Sequence, residues 1–439
     1  MLLNWLSHQE LLMGKSIFHR AFNNPFLKNV STLALGTIIS QLLLFLSSPI
    51  LTRLFSATDF GILALFNSIA VVAAILTTGR YEFAVGLPES DQKASKVVGL
   101  IVFLSFFVSV FYLVVIIVLK NWAGPQMAHN KFLNLPIAYL VPVLTFAIAI
   151  YTALQYWNQR FKAYKIVSTT NAALVILGVI LNIVFGVLGY KKFGLVYSLV
   201  LAELLAIIPV AYLFYRAGFF HISKPKEYLS IAKEYKNFPK YMLISDLSLT
   251  TSQQIVPIIF TIIFNSATVG FYSLANRMLK VPSVVLTSSI GNVFRNDAID
   301  IIRSTGSCRS LYLSTLRKLI FLAIPIYSLL AIFSPQLFIL IFGKNWVESG
   351  YFARLICFST IFDFLAYPLS VLFYVVHRQK MYMRLQFFNM LSGILFIYVS
   401  YWLLKSAYWS VLFFSINNAM FSMLSLYITY NFSKQTHSI

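Results

Sequence analysis

The sequence contains few charged residues and very few acids. Charged side chains make up 11% of its 439 residues, with 13 Asp and Glu against 34 Lys and Arg. Soluble domains are roughly 25% charged. Hydrophobic residues make up 59% of the chain, which is more apolar surface than a soluble protein of this length can bury. These shortages exclude an ordinary soluble domain and predict an integral membrane protein.

The sequence also lacks the motifs of cofactor and enzyme sites. Its two cysteines, Cys308 in a basic loop and Cys357 in an apolar run, predict neither a disulfide framework nor a metal site. No phosphate-cradling loop or nucleophile motif occurs. The longest loop predicted outside, Lys120–Leu135, contains no carboxylate for acid–base chemistry. We therefore predict no cofactor and no enzyme.

Apolar segments of about twenty residues recur along the whole chain, each long enough to cross roughly 30 Å of hydrocarbon. The sequence therefore predicts an all-α integral membrane protein of about twelve transmembrane helices. The predicted spans are Val30–Leu51, Phe60–Thr78, Val97–Leu119, Pro136–Tyr156, Ile166–Val187, Leu195–Tyr215, Tyr241–Phe264, Gly270–Phe294, Leu319–Phe342, Leu355–Val376, Leu385–Leu404 and Ala407–Tyr430.

The spans divide the chain into two similar halves. Residues 1–29 form a predicted cytoplasmic segment without a cleavable signal pattern, and residues 431–439 a cytoplasmic tail. A six-helix lobe over 30–215 and a second over 241–430 are joined by a basic, amphipathic cytoplasmic connector over 216–240. No segment between spans is long enough for a separate soluble domain.

Lysine and arginine are concentrated in alternate loops. With the N-terminus in the cytoplasm, the inside segments hold roughly three times as many as the outside loops, as the positive-inside rule requires. We predict a multi-pass membrane protein with both termini cytoplasmic. The net charge of +21 follows from this topology, so it does not indicate nucleic-acid binding.

A short repeat opens each half of the chain. The segment SATDFGILALFN (56–67) resembles SATVGFYSLAN (266–276), with Gly61 matching Gly270 when one gap is allowed. Six predicted spans lie between the copies, so the halves run parallel and are related by an axis along the membrane normal. Two such lobes enclose a path with the substrate near the midplane, and rocking of one lobe against the other exposes it to each side in turn.

Two cations within one predicted span are not explained by topology. Arg277 and Lys280 lie three residues apart in the eighth span, hence on one helix face. A cation at the centre of a span costs roughly 2.5–3.5 kcal/mol and needs a partner or water. The pair predicts an anion clamp in a water-filled cavity. The alternatives are ion pairs with the acids within spans, and snorkelling by Arg277.

Three acids also lie within predicted spans. Glu203 and Asp363 are roughly midway along theirs, and Asp246 is nearer the cytoplasmic end. Each can carry a coupling proton or sodium ion, or pair with Arg277 or Lys280. Amide side chains within spans can bind sugars or join helices, and both readings stay open. They include Gln155, Gln253, Gln254, Asn389, Asn417 and Asn418.

Three segments resemble a known family. PILTRLFSATDFGILALFNSI (49–69), TGRYEFAVGLP (78–88) and GFYSLANRMLKVPSVVLTSSIGNVF (270–294) are similar to bacterial polysaccharide-unit flippases. These O-antigen translocases belong to the MOP superfamily, together with MATE exporters and the lipid II flippase. The resemblance implies a MATE-like fold of two six-helix lobes in the bacterial inner membrane. It also implies export of an undecaprenyl-diphosphate-linked oligosaccharide, an O-antigen or capsule repeat unit, from the cytoplasmic to the periplasmic leaflet.

The resemblance also implies site residues and partners. Arg277 and Lys280 would hold the diphosphate, with Arg53 and Arg80 as further candidates, although Arg80 beside Glu82 can equally anchor a helix end. The partners would be the lipid-linked oligosaccharide, membrane lipids and the polysaccharide polymerase machinery. The first alternative is a cation-coupled MATE-type multidrug exporter, whose cavity should be rich in acids and aromatic rings rather than an Arg–Lys pair. The second is a membrane-embedded polymerase or glycosyltransferase of the same pathway.

Overall fold

The computed structural model describes residues 25–122, 132–218 and 224–434, and this part of the chain is helical, as predicted. Most of the predicted N-terminal segment (1–24), residues 123–131 and the end of the tail (435–439) lie outside it. The helices are α1 Pro25–Leu54, α2 Ala57–Thr78, α3 Asp91–Trp122, α4 Leu140–Arg160, α5 Tyr164–Val187, α6 Gly194–Arg216, α7 Pro225–Glu234, α8 Leu243–Ile263, α9 Ser266–Thr305, α10 Arg309–Phe342, α11 Val347–Leu369, α12 Leu372–Val375, α13 Gln379–Leu404 and α14 Ala407–Lys434.

Ten helices among the described residues are long and apolar enough to cross a membrane. The two remaining long helices, α8 and α9, have 21 and 40 residues and correspond to the seventh and eighth predicted spans. They are more polar because several of their side chains, including Gln253, Asn276 and Lys280, line an internal cavity. A helix that faces a polar cavity on one side needs an apolar surface only on the other. The prediction of about twelve spans agrees with this count.

The two halves have the same arrangement of helices. In the first lobe α1 packs on α5, α5 on α6, α6 on α4, and α4 on both α3 and α2. In the second lobe α8 packs on α13, α13 on α14, α14 on α11, and α11 on both α10 and α9. The neighbours correspond one to one along the chain. Between the lobes, α2 packs on α8 and α9, and α1 packs on α9 and α10.

The two copies of the repeat start their helices in similar ways. Ser56 caps α2, and its side chain and backbone exchange hydrogen bonds with Asp59 in a capping box. Asn265 caps α9, where its side chain accepts the Thr268 N–H at 2.9 Å. Both caps lie at the end of the bundle that carries the α1–α2 and α8–α9 turns, which we call the turn end. We call the opposite end, where Arg80 lies, the basic end.

The repeated motif packs against itself at the turn end. A Cβ atom on Gly61 would overlap the carbonyl oxygen of Ser266, and a Cβ atom on Gly270 would overlap that of Ala57. Each of these carbonyls lies four residues before the glycine of its own helix, so the two contacts are equivalent. Only glycine lets two helix backbones approach this closely. The two matched glycines therefore hold α2 of one lobe against α9 of the other.

Trp346 also joins the two lobes at the turn end. Its indole N–H donates to the carbonyl of Thr52 at 3.0 Å, across the lobes. Its ring meets Phe60 edge-on at a centroid distance of 5.0 Å and Phe271 at 5.8 Å. Edge-to-face contacts of this kind add to the stabilisation from burial alone. The lobes are thus joined at the turn end by backbone, aromatic and hydrogen-bond contacts.

Helix α7, in the predicted connector, packs at the basic end against α3. Lys93 lies 2.6 Å from Glu234, and Lys96 lies 2.7 Å from Glu227. The hydrogen bond from the Lys93 ammonium holds the pKa of the Glu234 carboxyl below its ordinary value. These pairs are exposed, so they contribute little to stability, and the buried Tyr228 anchors α7.

Candidate functional site

A polar cavity of about 450 Å³ lies inside the second lobe. Its described lining comes from α8, α9, α11, α13 and α14, together with Ser370 after α11, so all of it belongs to the C-terminal half. The sequence predicted a cavity between the lobes. The difference arises because the polar faces of α8 and α9 turn toward α11, α13 and α14 of their own lobe. The size is typical of pockets for small polar or drug-sized groups.

Lys280 and Asp363 line this cavity, and both are exposed although each lies well inside a long helix. Asp363 accepts a hydrogen bond from the hydroxyl of Ser422 at 2.5 Å. Lys280 has no ion-pair or hydrogen-bond partner within the described ranges. The direct ion pair that the sequence allowed between these two residues is therefore not formed, and both charges face the same cavity.

Arg277 occupies a different position from Lys280. It is half-buried and is not one of the described residues that line the cavity. No ion pair to it occurs in the part of the chain that the structure describes. Residues three apart on a helix have neighbouring Cβ atoms, about 5–6 Å from each other. Arg277 thus lies one helical turn from the cavity wall, with a charge that is not paired to any acid among the described residues.

The structure separates the amides that the sequence grouped together. Gln155 donates to Thr170 at 2.8 Å, Gln254 accepts from Ser68 at 2.9 Å, and Asn417 donates to Asn389 at 2.7 Å. These amides join helices. By contrast, Gln253 and Asn418 line the cavity and form no hydrogen bond with other described residues. Asn276, which the sequence singles out only as part of the repeat, also lines the cavity and forms no hydrogen bond with other described residues.

Arg80 connects the lobes at the basic end. It forms ion pairs of 2.9 Å with Glu82, whose side chain is 1% exposed, and with Asp246 of α8. From the sequence we expect Asp246 to pair with Arg277 or Lys280, or to carry a coupling ion. In the structure its partner is Arg80 instead. Residues this far apart in sequence meet because α2 and α8 of opposite lobes pack together. Arg80 is held by two carboxylates and is not free for a diphosphate in this conformation.

A double-mutant cycle should reveal the Arg80–Asp246 pair. Arg80→Gln and Asp246→Asn should couple by about 1 kcal/mol in thermal unfolding, since the two side chains are 20% and 25% exposed. The matched control is Lys93→Gln with Glu234→Gln, a pair 42% and 45% exposed, where we expect coupling of only about 0.3 kcal/mol. Equal coupling in both cycles would show that the Arg80 pair does not hold the lobes together.

The last two candidates are not among the described residues that line the cavity. Arg53 lies in the last turn of α1, is exposed at the turn end, and has no ion-pair partner among the residues described. Glu203 of α6 is 8% exposed inside the first lobe. It too has no cationic partner in the described chain. A buried carboxyl without a partner is costly when charged and is often functional in membrane proteins.

Comparison with known proteins agrees with this architecture. The model of a family described as polysaccharide biosynthesis protein matches residues 50–350. The lipid II flippase MurJ in an inward closed conformation aligns with a TM-score of 0.69 and 12% identity, over 91% of this chain and 87% of that chain. A search of curated proteins gives no significant match.

Two further solved structures share the fold. A MOP superfamily transporter from Pyrococcus furiosus aligns with a TM-score of 0.58 and 14% identity, over 92% of this chain and 94% of that one. An inward-facing multidrug resistance MATE family transporter aligns with a TM-score of 0.57 and 16% identity, over 90% and 92%. At these identities the similarity is one of fold, and it confirms the predicted MATE-like architecture of two six-helix lobes.

Proposed function

Since this chain belongs to the polysaccharide biosynthesis protein family, we propose that it flips an undecaprenyl-diphosphate-linked oligosaccharide from the cytoplasmic to the periplasmic leaflet. The observation that carries this proposal is the pair Arg277 and Lys280. Both lie within a long helix of the bundle, and neither forms an ion pair with another described residue, although Lys280 shares its cavity with Asp363. A diphosphate would neutralise both charges and accept their hydrogen bonds in place of water.

The transport path follows from the two-lobed fold. The lobes are joined at the turn end by Gly61 and Gly270, and at the basic end by Arg80 and Asp246. Alternating access requires that one set of contacts opens while the other stays closed. The polyprenyl tail remains in the bilayer, because burying its methylenes in a wet cavity gains nothing. We assign the basic end to the cytoplasm by the positive-inside rule.

A multidrug exporter of the MATE type is the second candidate. A site for cationic drugs should carry an excess of acidic charge. Among the described lining residues Asp363 is the single acid, and Lys280 offsets it. The cavity therefore favours a substrate with hydroxyl groups and an adjacent anion over a cation.

Deletion of the gene tests the proposed function. We expect an undecaprenyl-diphosphate-linked oligosaccharide to accumulate on the cytoplasmic side and surface polysaccharide to disappear, with both effects reversed by the wild-type gene. Lipid extracts analysed by mass spectrometry, with and without periplasmic glycosidase treatment of spheroplasts, give the leaflet. Sensitivity to cationic drugs without any lipid-linked intermediate would instead identify a multidrug exporter.

Glu203 is our proposed site for the coupling proton. Asp246 is paired with Arg80 and Asp363 shares the cavity with Lys280, whereas Glu203 is buried and has no cationic partner in the part of the chain that the structure describes. Glu203→Gln should insert and melt like the wild type, because it keeps the shape of the side chain. Its export should no longer depend on the proton gradient, as measured in proteoliposomes with and without an imposed pH difference. Export by Glu203→Gln that still rises with the gradient would rule this site out.

A further inference from the structure

The cavity of the second lobe is electrically neutral. Its described lining contains one ammonium group, that of Lys280, and one carboxyl, that of Asp363. A diphosphate needs an excess of positive charge, and a drug cation needs an excess of negative charge. A cavity that offers one of each is suited to a neutral polar group. Desolvating such a group costs little beyond its hydrogen bonds, which the lining can replace.

The free hydrogen-bonding groups of the cavity come from three helices. Gln253 of α8, Asn276 of α9 and Asn418 of α14 each present an amide that no other described residue engages. An amide accepts through its oxygen and donates twice through its nitrogen, so it can serve neighbouring hydroxyl groups at once. Tyr367 is 62% exposed at the wall and offers an aromatic face. Amides arranged around an exposed ring match the hydroxyls and the apolar face of a sugar ring.

The position of the cavity determines which sugar it can hold. Lys280 is in its wall, and Arg277 lies one helical turn away. In the lipid-linked substrate the first sugar is bonded directly to the diphosphate. We infer that the cavity binds this first sugar and that the sugar is a neutral pyranose, with Gln253, Asn276 and Asn418 determining specificity. This inference rests on the proposed function for the adjacent diphosphate.

Two probes test the two parts of the site separately on the full-length protein in nanodiscs. One is a panel of methyl glycosides of hexoses, N-acetylhexosamines and a uronate, with binding measured by saturation-transfer NMR. The other is undecaprenyl diphosphate without sugar. Asn418→Ala and Gln253→Ala should weaken binding of the best neutral glycoside about tenfold, the effect of losing one good hydrogen bond. They should leave undecaprenyl diphosphate binding unchanged. Arg277→Gln should weaken binding of undecaprenyl diphosphate and leave binding of the glycoside unchanged.

The control is Asn345→Ala, an exposed amide in the turn Lys344–Trp346 outside the cavity, which should change neither binding. The melting temperature of each variant shows whether the fold is kept. If no neutral glycoside binds, if the uronate binds best, or if Asn418→Ala and Gln253→Ala bind like the wild type, the inference is overturned. If glycosides bind as expected but undecaprenyl diphosphate does not, the proposed lipid substrate fails while the sugar site stands.

Discussion

Replacement of Arg277 by alanine should abolish surface polysaccharide while the protein remains inserted and abundant. Arg277 has no acidic partner among the described residues, so its removal leaves no carboxylate unpaired in the bundle. The substrate, however, loses a charge-assisted contact to its diphosphate worth about 3 kcal/mol, which corresponds to a fall in export of roughly a hundredfold. Surface polysaccharide by immunoblot and initial flipping rates in proteoliposomes measure this loss.

The form of the positive charge should also matter. Arg277→Lys should retain part of the activity, since an ammonium keeps the charge but cannot form the two parallel hydrogen bonds of a guanidinium with a phosphate. The control is Lys191→Ala, an exposed cation in the α5–α6 turn, which should be silent. If Arg277→Ala inserts and exports at the wild-type rate, the diphosphate must be held elsewhere. The exposed Arg53 would then be the next residue to test.

The helices were predictable from the sequence because hydrocarbon imposes a minimum apolar length. Their ends were not. The eighth span was predicted as Gly270–Phe294, whereas α9 is Ser266–Thr305, about 60 Å long and twice the thickness of the hydrocarbon. Its polar extension is still helical because α10 starts after only three intervening residues and packs beside it. Hydropathy indicates where a helix meets lipid, but it does not predict how far the helix continues into water.

The contents of the site were predicted better than its location. The sequence identified Lys280, Asp363, Gln253 and Asn418 as polar groups within spans, and the structure brings them together in one cavity. That this cavity lies inside the second lobe depends on how α8 and α9 are rotated about their axes. The rotation of a helix is determined by its packing against other helices, so the hydropathy of a single sequence does not predict it. The Arg80–Asp246 pair was missed for the same reason.

The matched glycines of the repeat should be sensitive to a single methyl group. In Gly61→Ala or Gly270→Ala, the new Cβ atom meets a backbone carbonyl of the facing helix, which cannot move aside like a side chain. Overpacking of this kind costs typically 1–3 kcal/mol, so each variant should lower the unfolding temperature in detergent and impair export. Because the two contacts are equivalent, the two variants should be destabilised to similar extents.

The double variant distinguishes shared from independent strain. Moving α2 and α9 apart relieves both clashes together, so Gly61→Ala with Gly270→Ala should cost clearly less than the sum of the single variants. Gly178→Ala in α5 is the matched control, since its new Cβ atom would lie 3.8 Å from that of Ala202, an ordinary contact, and it should melt like the wild type. Additive losses in the double variant would mean that the two glycines are separate packing sites. Loss at one glycine alone would mean that the repeat does not form a symmetric joint between the lobes.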